Sequence, residues 1–432
     1  MNGGKGKQQS LLLEDCMSAI IDYRGKTPRK TMSGIPLITA RIVKDGRIET
    51  PTEFIDPLEY DSWMRRGLPQ VGDVVLTTEA PLGEIAQITN DRVALAQRLI
   101  LLRGKPQVLD NTYLKYAMMS GEVQSQLHGR ASGTTVVGIK QSELRKIVLS
   151  LPSMAEQRAI AGVLGALDEK IEQNRRTSLA LQRLASTMFR AWFIDFEPIK
   201  AKAAGVREFP LMAENIFDVL PTEVVESENG AVPTGWRVQS FSSSCSLVSG
   251  GTPKRSEPSY WAGEILWYSV KDAPDSDEVW VISTAELISE EGLTNSAAQL
   301  VPKGTTIISA RGTVGKLAMA GQSMAFNQSC YGLIPGDGRS FSYLYLLTQA
   351  IVSELQRRTH GSVFDTITRA TFDAQRVVVP PADVVSSFDS LVAPLFESLL
   401  FLVRESRKLT ELRRYLLPRL INGEIRVRIN HG

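Results

Sequence analysis

Two loops far apart in the chain carry the same kinds of residue. Residues 25–30 read GKTPRK, and residues 250–255 read GGTPKR, 225 positions later. Gly and Pro interrupt regular structure, so both stretches are predicted to be loops. Lys, Arg and Thr can donate hydrogen bonds to phosphate oxygens, and Arg can also donate to base edges. The chemistry that these residue types suggest is the binding of a polyanion, with DNA as the natural candidate.

Further cations lie near Gly and Thr in both halves of the sequence, and Gln328 adds an amide in the second. We predict two DNA-binding surfaces, in which Lys and Arg hold phosphates while Arg and Gln read base edges. For any single residue the simpler interpretation is a solvated surface charge, and the prediction depends on the grouping in both copies. The predicted DNA-binding residues are Lys26, Thr27, Arg29, Lys30, Arg98, Arg130, Thr134, Thr135 and Lys140 in the first copy, and Lys254, Arg255, Lys271, Arg311, Lys316, Gln328, Arg358, Ser362 and Arg369 in the second.

Catalytic motifs are not found in the sequence. GTVGK (312–316) lacks the spacing of a phosphate-binding loop and is followed by Leu317. The three histidines form no H-x-x-x-H pair, and the three cysteines form no C-x-x-C pair. We therefore predict no catalytic residues and no metal site, and a binding or scaffold role is favoured over an enzyme.

Length and composition limit the class of protein. A chain of 432 residues is expected to form two or three domains, and 43% hydrophobic with 22% charged residues is typical of a folded soluble protein. The net charge of +2 means that any nucleic-acid surface must be a local patch. The apolar stretch LFESLLFLV (395–403) is too short to span a bilayer. We expect a cytoplasmic protein.

The repeat extends beyond the two loops. VGDVVLTTEAPLGEIA (71–86) aligns with PKGTTIISARGTVGKLA (302–318), which places Gly72 on Gly304 and Gly83 on Gly315. ALAQ (94–97) then aligns with AFNQ (325–328), and LSLP with VVVP further on. The pattern predicts two copies of a strand-rich, mixed α/β globule.

A long amphipathic helix is predicted after each copy. The first is expected to begin at Ser153 as N-cap, with Glu156 completing a capping box. Two stripes of residues repeat every three and four positions and are related by one shift of 228, which is typical of a coiled-coil seam. The stripes are Ile160, Leu164, Leu167, Ile171, Asn174, Ser178 and Leu181, and Phe388, Val392, Leu395, Leu399, Leu402, Ser406 and Leu409. An antiparallel intramolecular coiled coil is favoured, and a helix packed on its own domain is the alternative.

The predicted fold class is α/β, with two similar mixed α/β globules joined by two long helices that form an antiparallel coiled coil, a duplication with pseudo-two-fold symmetry. The predicted boundaries are 1–150 for the first globule, 151–196 for the first helix, 197–235 for a linker, 236–380 for the second globule and 381–427 for the second helix.

Four segments resemble one protein family. LQRLASTMFRAWFIDFEPIKAK (181–202) looks like its central segment and LPSMAEQRAIAGVLGALDEKI (151–171) like the start of its first helix. VPTGWRVQSF (232–241) is similar to the start of a recognition domain, and LRRYLLPRLINGEIRV (412–427) to the C-terminal end. The sequence thus resembles the specificity subunit of type I restriction–modification systems. The second helix departs from the pattern, because it opens PPADVVSSF, without the E-Q-x-x-I of the first.

The resemblance implies that the two globules are target-recognition domains, each reading one half of a bipartite DNA site. It implies that the helices set the spacer between the half-sites and dock two methyltransferase subunits. Restriction subunits are further expected partners. S-adenosylmethionine, ATP and Mg are expected on partner subunits, with no cofactor bound by this chain and no catalysis by it.

Two sets of residues on the helices each have two possible interpretations. An apolar set is interpreted either as an exposed docking patch for a methyltransferase subunit or as a cap packed on a globule; it comprises Met188, Phe189, Trp192, Phe193 and Phe196. A basic set on the second helix either lies over spacer DNA or is solvated; it comprises Arg404, Arg407, Lys408, Arg413, Arg414 and Arg419. For the whole chain the alternative functions are a dumbbell-shaped protein–protein adaptor without DNA binding and a methyltransferase of divergent motif.

Overall fold

A computed structural model describes residues 9–23, 27–134, 136–227, 230–275, 277–336, 339–359 and 366–428. The chain divides into two compact units. The first unit comprises Met1–Lys170 together with Lys408–Gly432, and the second unit comprises Ile171–Arg407. The first unit is therefore completed by residues from the far end of the chain.

The described α-helices are α1 (Leu13–Cys16), α2 (Tyr60–Trp63), α3 (Asn111–Met119), α4 (Gly121–Gly129), α5 (Gln141–Leu144), α6 (Met154–Phe193), α7 (Glu197–Ala203), α8 (Glu214–Val219), α9 (Glu290–Thr294), α10 (Phe341–Thr359), α11 (Arg369–Ala374) and α12 (Ala382–Ile421). The described strands are β1 (Gln9–Leu12), β2 (Met17–Asp22), β3 (Lys30–Thr31), β4 (Ile35–Ile38), β5 (Val43–Lys44), β6 (Arg47–Ile48), β7 (Phe54–Ile55), β8 (Val74–Thr78), β9 (Leu82–Gln87), β10 (Ala94–Leu95), β11 (Leu99–Gly104), β12 (Val148–Leu151), β13 (Val224–Ser227), β14 (Gly230–Pro233), β15 (Arg237–Ser240), β16 (Cys245–Ser249), β17 (Ile265–Tyr268), β18 (Trp280–Val281), β19 (Glu286–Ile288), β20 (Thr306–Ser309), β21 (Leu317–Ala320), β22 (Ala325–Phe326), β23 (Cys330–Pro335) and β24 (Arg376–Val379).

The main sheet of the first unit has the strand order β2-β11-β8-β9 and is antiparallel throughout. Its central strands, β8 and β11, consist of Val, Leu, Ile and Thr apart from Arg103 and Gly104 at the end of β11, and are almost wholly buried, as expected for strands covered on both faces. A smaller sheet has the order β10-β4-β7-β3, with β4 and β10 parallel. β1 pairs with β12 and so closes the globule where the long helix begins.

The second unit repeats the central part of this topology, with β18 added parallel to β21 in the main sheet and three described strands in place of four in the smaller sheet. Its main sheet has the order β16-β23-β20-β21-β18, its smaller sheet the order β19-β17-β22, and β15 pairs with β24. Gly72 and Gly304 both have φ of +93°, and Gly83 and Gly315 have φ of +91° and +86°. Only Gly adopts this backbone region readily, so the same turns recur at the aligned positions. The predicted duplication is confirmed.

The long helices pair with antiparallel direction in both units. In the second unit Asn174 Nδ2 of α6 donates to Glu405 Oε2 of α12 at 2.7 Å, and further along α6 the Phe193 ring lies 4.9 Å from that of Phe388. In the first unit the start of α6 packs on the end of α12, where Leu164 shares a core with Leu420. As the residue number increases along α6, the number of its partner on α12 decreases. The predicted antiparallel seam is therefore confirmed.

The start of α6 is capped as the sequence predicts. The Glu156 backbone N–H donates to Ser153 Oγ at 3.3 Å, and the Ser153 N–H donates to Glu156 Oε2 at 3.2 Å. These reciprocal bonds form a capping box and satisfy two backbone donors that the helix itself leaves unpaired.

Residues 197–235 are more than the predicted linker. They form α7, α8 and the β13–β14 hairpin, and Ile199, Phe217 and Leu220 are buried in the core of the second unit. These core contacts are made by apolar residues that lie between charged ones. The overall composition of the segment, rich in Ala, Glu and Pro, does not reveal them. The unit boundaries fall inside the long helices, rather than at the predicted ends of the globules.

A partly buried ionic cluster ties three helices of the first unit together. Asp168 of α6 accepts from Lys115 Nζ at 2.5 Å, from the Tyr116 hydroxyl at 2.7 Å and from Arg413 Nη1 of α12 at 2.6 Å. Burial alone would raise the pKa of Asp168. The positive charges of Lys115 and Arg413 and the hydrogen bonds outweigh burial, and the pKa lies below its ordinary value.

An aromatic cluster occupies the matching place in the second repeat. The residue 228 positions after Asp168 is Phe396, whose ring packs 5.6 Å from that of Tyr345 and 6.5 Å from that of Trp280. The same corner of the fold is thus held by charges in the first unit and by aromatic rings in the second.

Replacing Asp168 is expected to destabilise the first unit. Asp168→Asn removes the charge that compensates Lys115, whose side chain is 9% exposed, and should cost about 3 kcal/mol. Because the folded-state pKa of Asp168 is depressed, this stabilisation is present above its unfolded pKa of about 3.9 and is lost as pH falls through the folded value. Thermal unfolding should show a large difference from the parent protein at pH 7 that shrinks in acid.

Glu169→Gln, one residue on at an exposed position, is the control and should leave the midpoint near that of the parent. Equal midpoints for parent and Asp168→Asn at pH 7 would show that the cluster contributes nothing.

Candidate nucleic-acid interface

The predicted loops of the first unit meet at one end of its main sheet. β2 and β8 end there and β11 begins there: the Tyr23 N–H donates to Leu99 O at 3.3 Å, and the Thr78 N–H donates to Arg98 O at 2.8 Å. The loop that follows β2 carries Thr27 and Arg29, both exposed. Lys26, in the same loop, lies outside the described residues.

The segment 130–140 joins the same sheet end. The Ile139 N–H donates to Thr78 O at 3.0 Å, and Gly138 forms a β-bridge with Glu79. Thr134 and Lys140 are exposed on this segment, whereas Thr135 lies outside the described residues. The structure thus brings most of the predicted DNA-binding residues of the first copy to one end of the main sheet.

The second unit builds the same arrangement with matching hydrogen bonds. The Ala310 N–H donates to Ser329 O at 2.7 Å and the Ile367 N–H to Ala310 O at 3.0 Å. These bonds bring together the segments that carry Arg311, Gln328 and Arg369. Ser362 and the side chain of Arg358 lie outside the described residues.

The loop GGTPKR packs against this sheet end. A Cβ at Gly250 would lie 2.0 Å from Asn327 O, and one at Gly251 would lie 2.2 Å from the carbonyl carbon of Ala297. The hydroxyl of Thr252 is hydrogen-bonded to Gln328. The two glycines are needed because the loop backbone lies directly on neighbouring backbone, where no side chain fits.

The cations of these surfaces fall into two groups. Some are paired with a carboxylate: Lys30 with Glu53, Arg98 with Glu79, Arg130 with Glu143, Lys254 with Glu257 and Arg255 with Glu286. Within the described part of the chain, the others are exposed and form no salt bridge: Arg29, Lys140, Lys271, Arg311, Lys316 and Arg369. The second group can meet a phosphate without first losing an internal ion pair.

One cation was missed by sequence reasoning. Arg41 lies in the turn Ala40–Ile42, which follows β4 as the turn Val270–Asp272 with Lys271 follows β17. The strands before the two turns make the same bond: the Ala96 N–H donates to Ile38 O, and the Asn327 N–H donates to Tyr268 O. Arg41 is exposed. Arg41 lies 230 positions before Lys271, so a full alignment of the two repeats would have identified it.

The prediction of an exposed apolar docking patch at the end of α6 is wrong. Its five members are between 2% and 9% exposed: Met188, Phe189, Trp192, Phe193 and Phe196. The Phe193 ring contacts Tyr343 at 5.3 Å, and the Phe196 ring contacts Trp236 at 5.6 Å. The end of α6 is apolar on the side that meets the globule, so the alternative interpretation, a cap packed on the second globule, is correct.

The predicted basic face of α12 is partly used inside the protein. Arg413 belongs to the partly buried Asp168 cluster, Arg404 donates to Gly321 O at 3.1 Å, and the Arg419 guanidinium stacks on the Tyr415 ring at 3.8 Å. Lys408 and Arg414 are exposed. Among the described residues, no group of three His, Cys, Asp or Glu side chains could hold a metal ion.

Comparison with known proteins agrees with this geometry. A sequence model of the type I restriction modification DNA specificity domain matches residues 66–182 and 233–384, one match in each repeat. The type I restriction enzyme HindI specificity subunit from Haemophilus influenzae is 25% identical over 78% of this chain and 79% of its own length. The MjaIX specificity subunit from Methanocaldococcus jannaschii is 25% identical over 82% and 78%.

A solved structure supports the fold. The S subunit of a type I restriction–modification system from M. genitalium matches 97% of this chain and 98% of its own, with a TM-score of 0.59 at 14% identity. The chain belongs to the type I restriction–modification DNA specificity family. Recognition of DNA sequence as a specificity subunit is the function that this membership gives it.

Proposed function

We propose that each unit reads one half of a bipartite DNA site and that the chain itself performs no catalysis. The observation that carries the proposal is the duplicated sheet end, where each unit presents a set of exposed cations. DNA repeats regularly and its strands are related by pseudo-two-fold symmetry, so two similar readers in one chain suit two half-sites.

The unpaired cations are assigned to the phosphate backbone. Each phosphate that Lys or Arg neutralises releases counterions, and this supplies affinity without sequence preference. With a net charge of only +2, the attraction must come from these local groups. Arg311 and Lys316 flank the turn after β20 and represent this class in the second unit.

The helix pair is proposed to fix the spacer between the half-sites. Asn174 is 1% exposed and donates to both Glu405 and Ser406. A polar group buried in a helical seam favours one register, because any slip leaves it without a partner. A fixed register gives a fixed spacer.

The helices also supply a docking surface that replaces the buried aromatic patch. Leu184 on α6 is 45% exposed and Leu412 on α12 is 43% exposed, and the two are 228 positions apart. Leu184 lies three residues after Leu181 of the seam, and Leu412 lies three residues after Leu409. Two equivalent exposed leucines suit two copies of a methyltransferase subunit.

The cofactors are proposed to belong to the partners. The methyltransferase subunits would bind S-adenosylmethionine and methylate adenine, and restriction subunits, where they join, would use ATP and Mg. We expect the complex in the cytoplasm. An 18-residue stretch of α12 is apolar enough to cross a membrane by composition alone, with a mean hydropathy of 1.5, but α12 packs on α6 in both units.

Removing two unpaired cations should weaken DNA binding uniformly. For Arg311→Ala with Lys316→Ala in the complex with methyltransferase subunits, affinity should fall alike for target and unrelated DNA. The slope of log affinity against log salt should decrease by about 2, because two phosphate contacts are lost. Fluorescence anisotropy at several salt concentrations measures both quantities.

Lys303→Ala is the control, since Lys303 lies before the other end of β20 and pairs with Glu397. An unchanged salt slope in the double variant would refute the phosphate assignment.

Leu184→Asp should remove one methyltransferase copy from the complex. A carboxylate at the centre of an apolar contact must be desolvated without a partner, so docking at that site should be lost while the Leu412 site remains. Native mass spectrometry of the assembled complex should show one methyltransferase subunit per chain in place of two. Gln322→Asp, exposed in the turn after β21, controls for the added charge; two copies retained in Leu184→Asp would exclude this docking surface.

A further inference from the structure

The repeated loop carries the same ion pair in both units. Lys30 and Arg255 are the last residues of GKTPRK and GGTPKR. Lys30 Nζ lies 2.8 Å from Glu53 Oε1, and Arg255 Nη2 lies 3.0 Å from Glu286 Oε2. A cation at the end of the loop is therefore held by a carboxylate in each copy.

The two carboxylates are also equivalent in the fold. In the first unit β4 pairs with β7 through Ile35 opposite Ile55, and Glu53 lies two residues before Ile55. In the second unit β17 pairs with β19 through Ile265 opposite Ile288, and Glu286 lies two residues before Ile288. The pair has thus been kept through the duplication, although Lys stands in one copy and Arg in the other.

Arg255 is held in a defined orientation by more than its carboxylate. Its guanidinium stacks 3.6 Å from the ring centroid of Trp261 and lies 5.2 Å from that of Trp267. Both indoles are anchored to the same loop: Trp261 Nε1 donates to Lys254 O and Trp267 Nε1 donates to Gly251 O. The Arg255 side chain is still 54% exposed and that of Glu286 is 41% exposed, so both can reach a ligand.

This arrangement is unsuited to a phosphate and suited to a base pair. A phosphate that approaches Arg255 would also approach the negative charge of Glu286, which cancels most of the attraction. A G·C pair in the major groove presents acceptors on guanine, O6 and N7, and a donor on cytosine, N4. An ordered guanidinium beside a carboxylate offers the complementary donors and acceptor.

We infer that Arg255 and Glu286 determine specificity at a G·C pair in the half-site read by the second unit. Nη1 and Nη2 of Arg255 each donate one hydrogen to Glu286, so the remaining guanidinium hydrogens donate to guanine O6 and N7. Glu286 accepts from the cytosine amino group with a remaining lone pair. This assignment rests on the proposed function and separates these two residues from the phosphate-binding cations. Lys30 presents a single ammonium group in place of a planar fork, so the two half-sites differ at this position.

The test uses the complete complex and a DNA library in which every position of its target is varied. In Arg255→Ala, the preference for G·C at one position of one half-site should fall by about 10- to 100-fold, as expected when one bidentate contact is lost. The preferences at other positions and the salt slope should stay close to those of the parent. Arg255→Lys keeps the charge but not the fork, and should also lose most of that preference.

Glu286→Gln keeps the shape of the site and guards against misfolding of the loop. It should relax the preference at the same position only. Lys316→Ala is the matched control, an exposed cation of the same unit that forms no salt bridge among the described residues, and should weaken all sequences alike and lower the salt slope by about 1.

Two results would overturn the inference: uniform weakening with a reduced salt slope in Arg255→Ala, or unchanged base preferences in both Arg255→Ala and Glu286→Gln. Failure of the underlying function would look different, because the parent complex would then show no bipartite preference at all.

Discussion

The fold depends on the return of α12 to the start of α6. The first unit is not complete until the chain has passed through the second, because its core includes Leu420 and its ionic cluster needs Arg413. In the second unit the same two helices bury Asn174 against Ser406 and Phe193 against Phe388. Neither half of the chain therefore contains everything that its own unit requires, and both units depend on one pair of helices.

Duplication has preserved the backbone and allowed the contacts to change. Gly72 and Gly304 adopt the same turn, and the hydrogen bonds around Thr78 recur around Ala310. Asp168 and Phe396, by contrast, fill the same corner with opposite chemistry. Lys30 and Arg255 differ more subtly, since both remain paired with a carboxylate. Under the proposed function, a chain that reads two different half-sites is expected to keep its scaffold and vary its exposed side chains in this way.

The local patterns in the sequence predicted the elements well. The seam periodicity, the Ser153 capping box and the aligned glycines each depend on residues close together in the chain, and the structure agrees with all three. The sequence also grouped most residues of the two sheet ends, because the repeat supplied an internal comparison.

Contacts between distant residues were beyond sequence reasoning. The sequence left open whether Phe193 is exposed or packed on a globule, because nothing near it in sequence identifies Phe388, Tyr343 or Trp236 as its neighbours. Arg255 looked like any other cation because its carboxylate lies 31 residues away, on β19. Which charges are free and which are paired decides their role at a DNA surface, and only the tertiary structure shows it.

The most direct test of the account is a genome-wide map of methylated adenines in cells that carry this gene with its methyltransferase partner, compared with cells that lack it. The account predicts a split motif of two half-sites and a constant spacer that disappears with the gene. Where the partner is active, methylation that stays the same without this chain would contradict its role as the reader of the site.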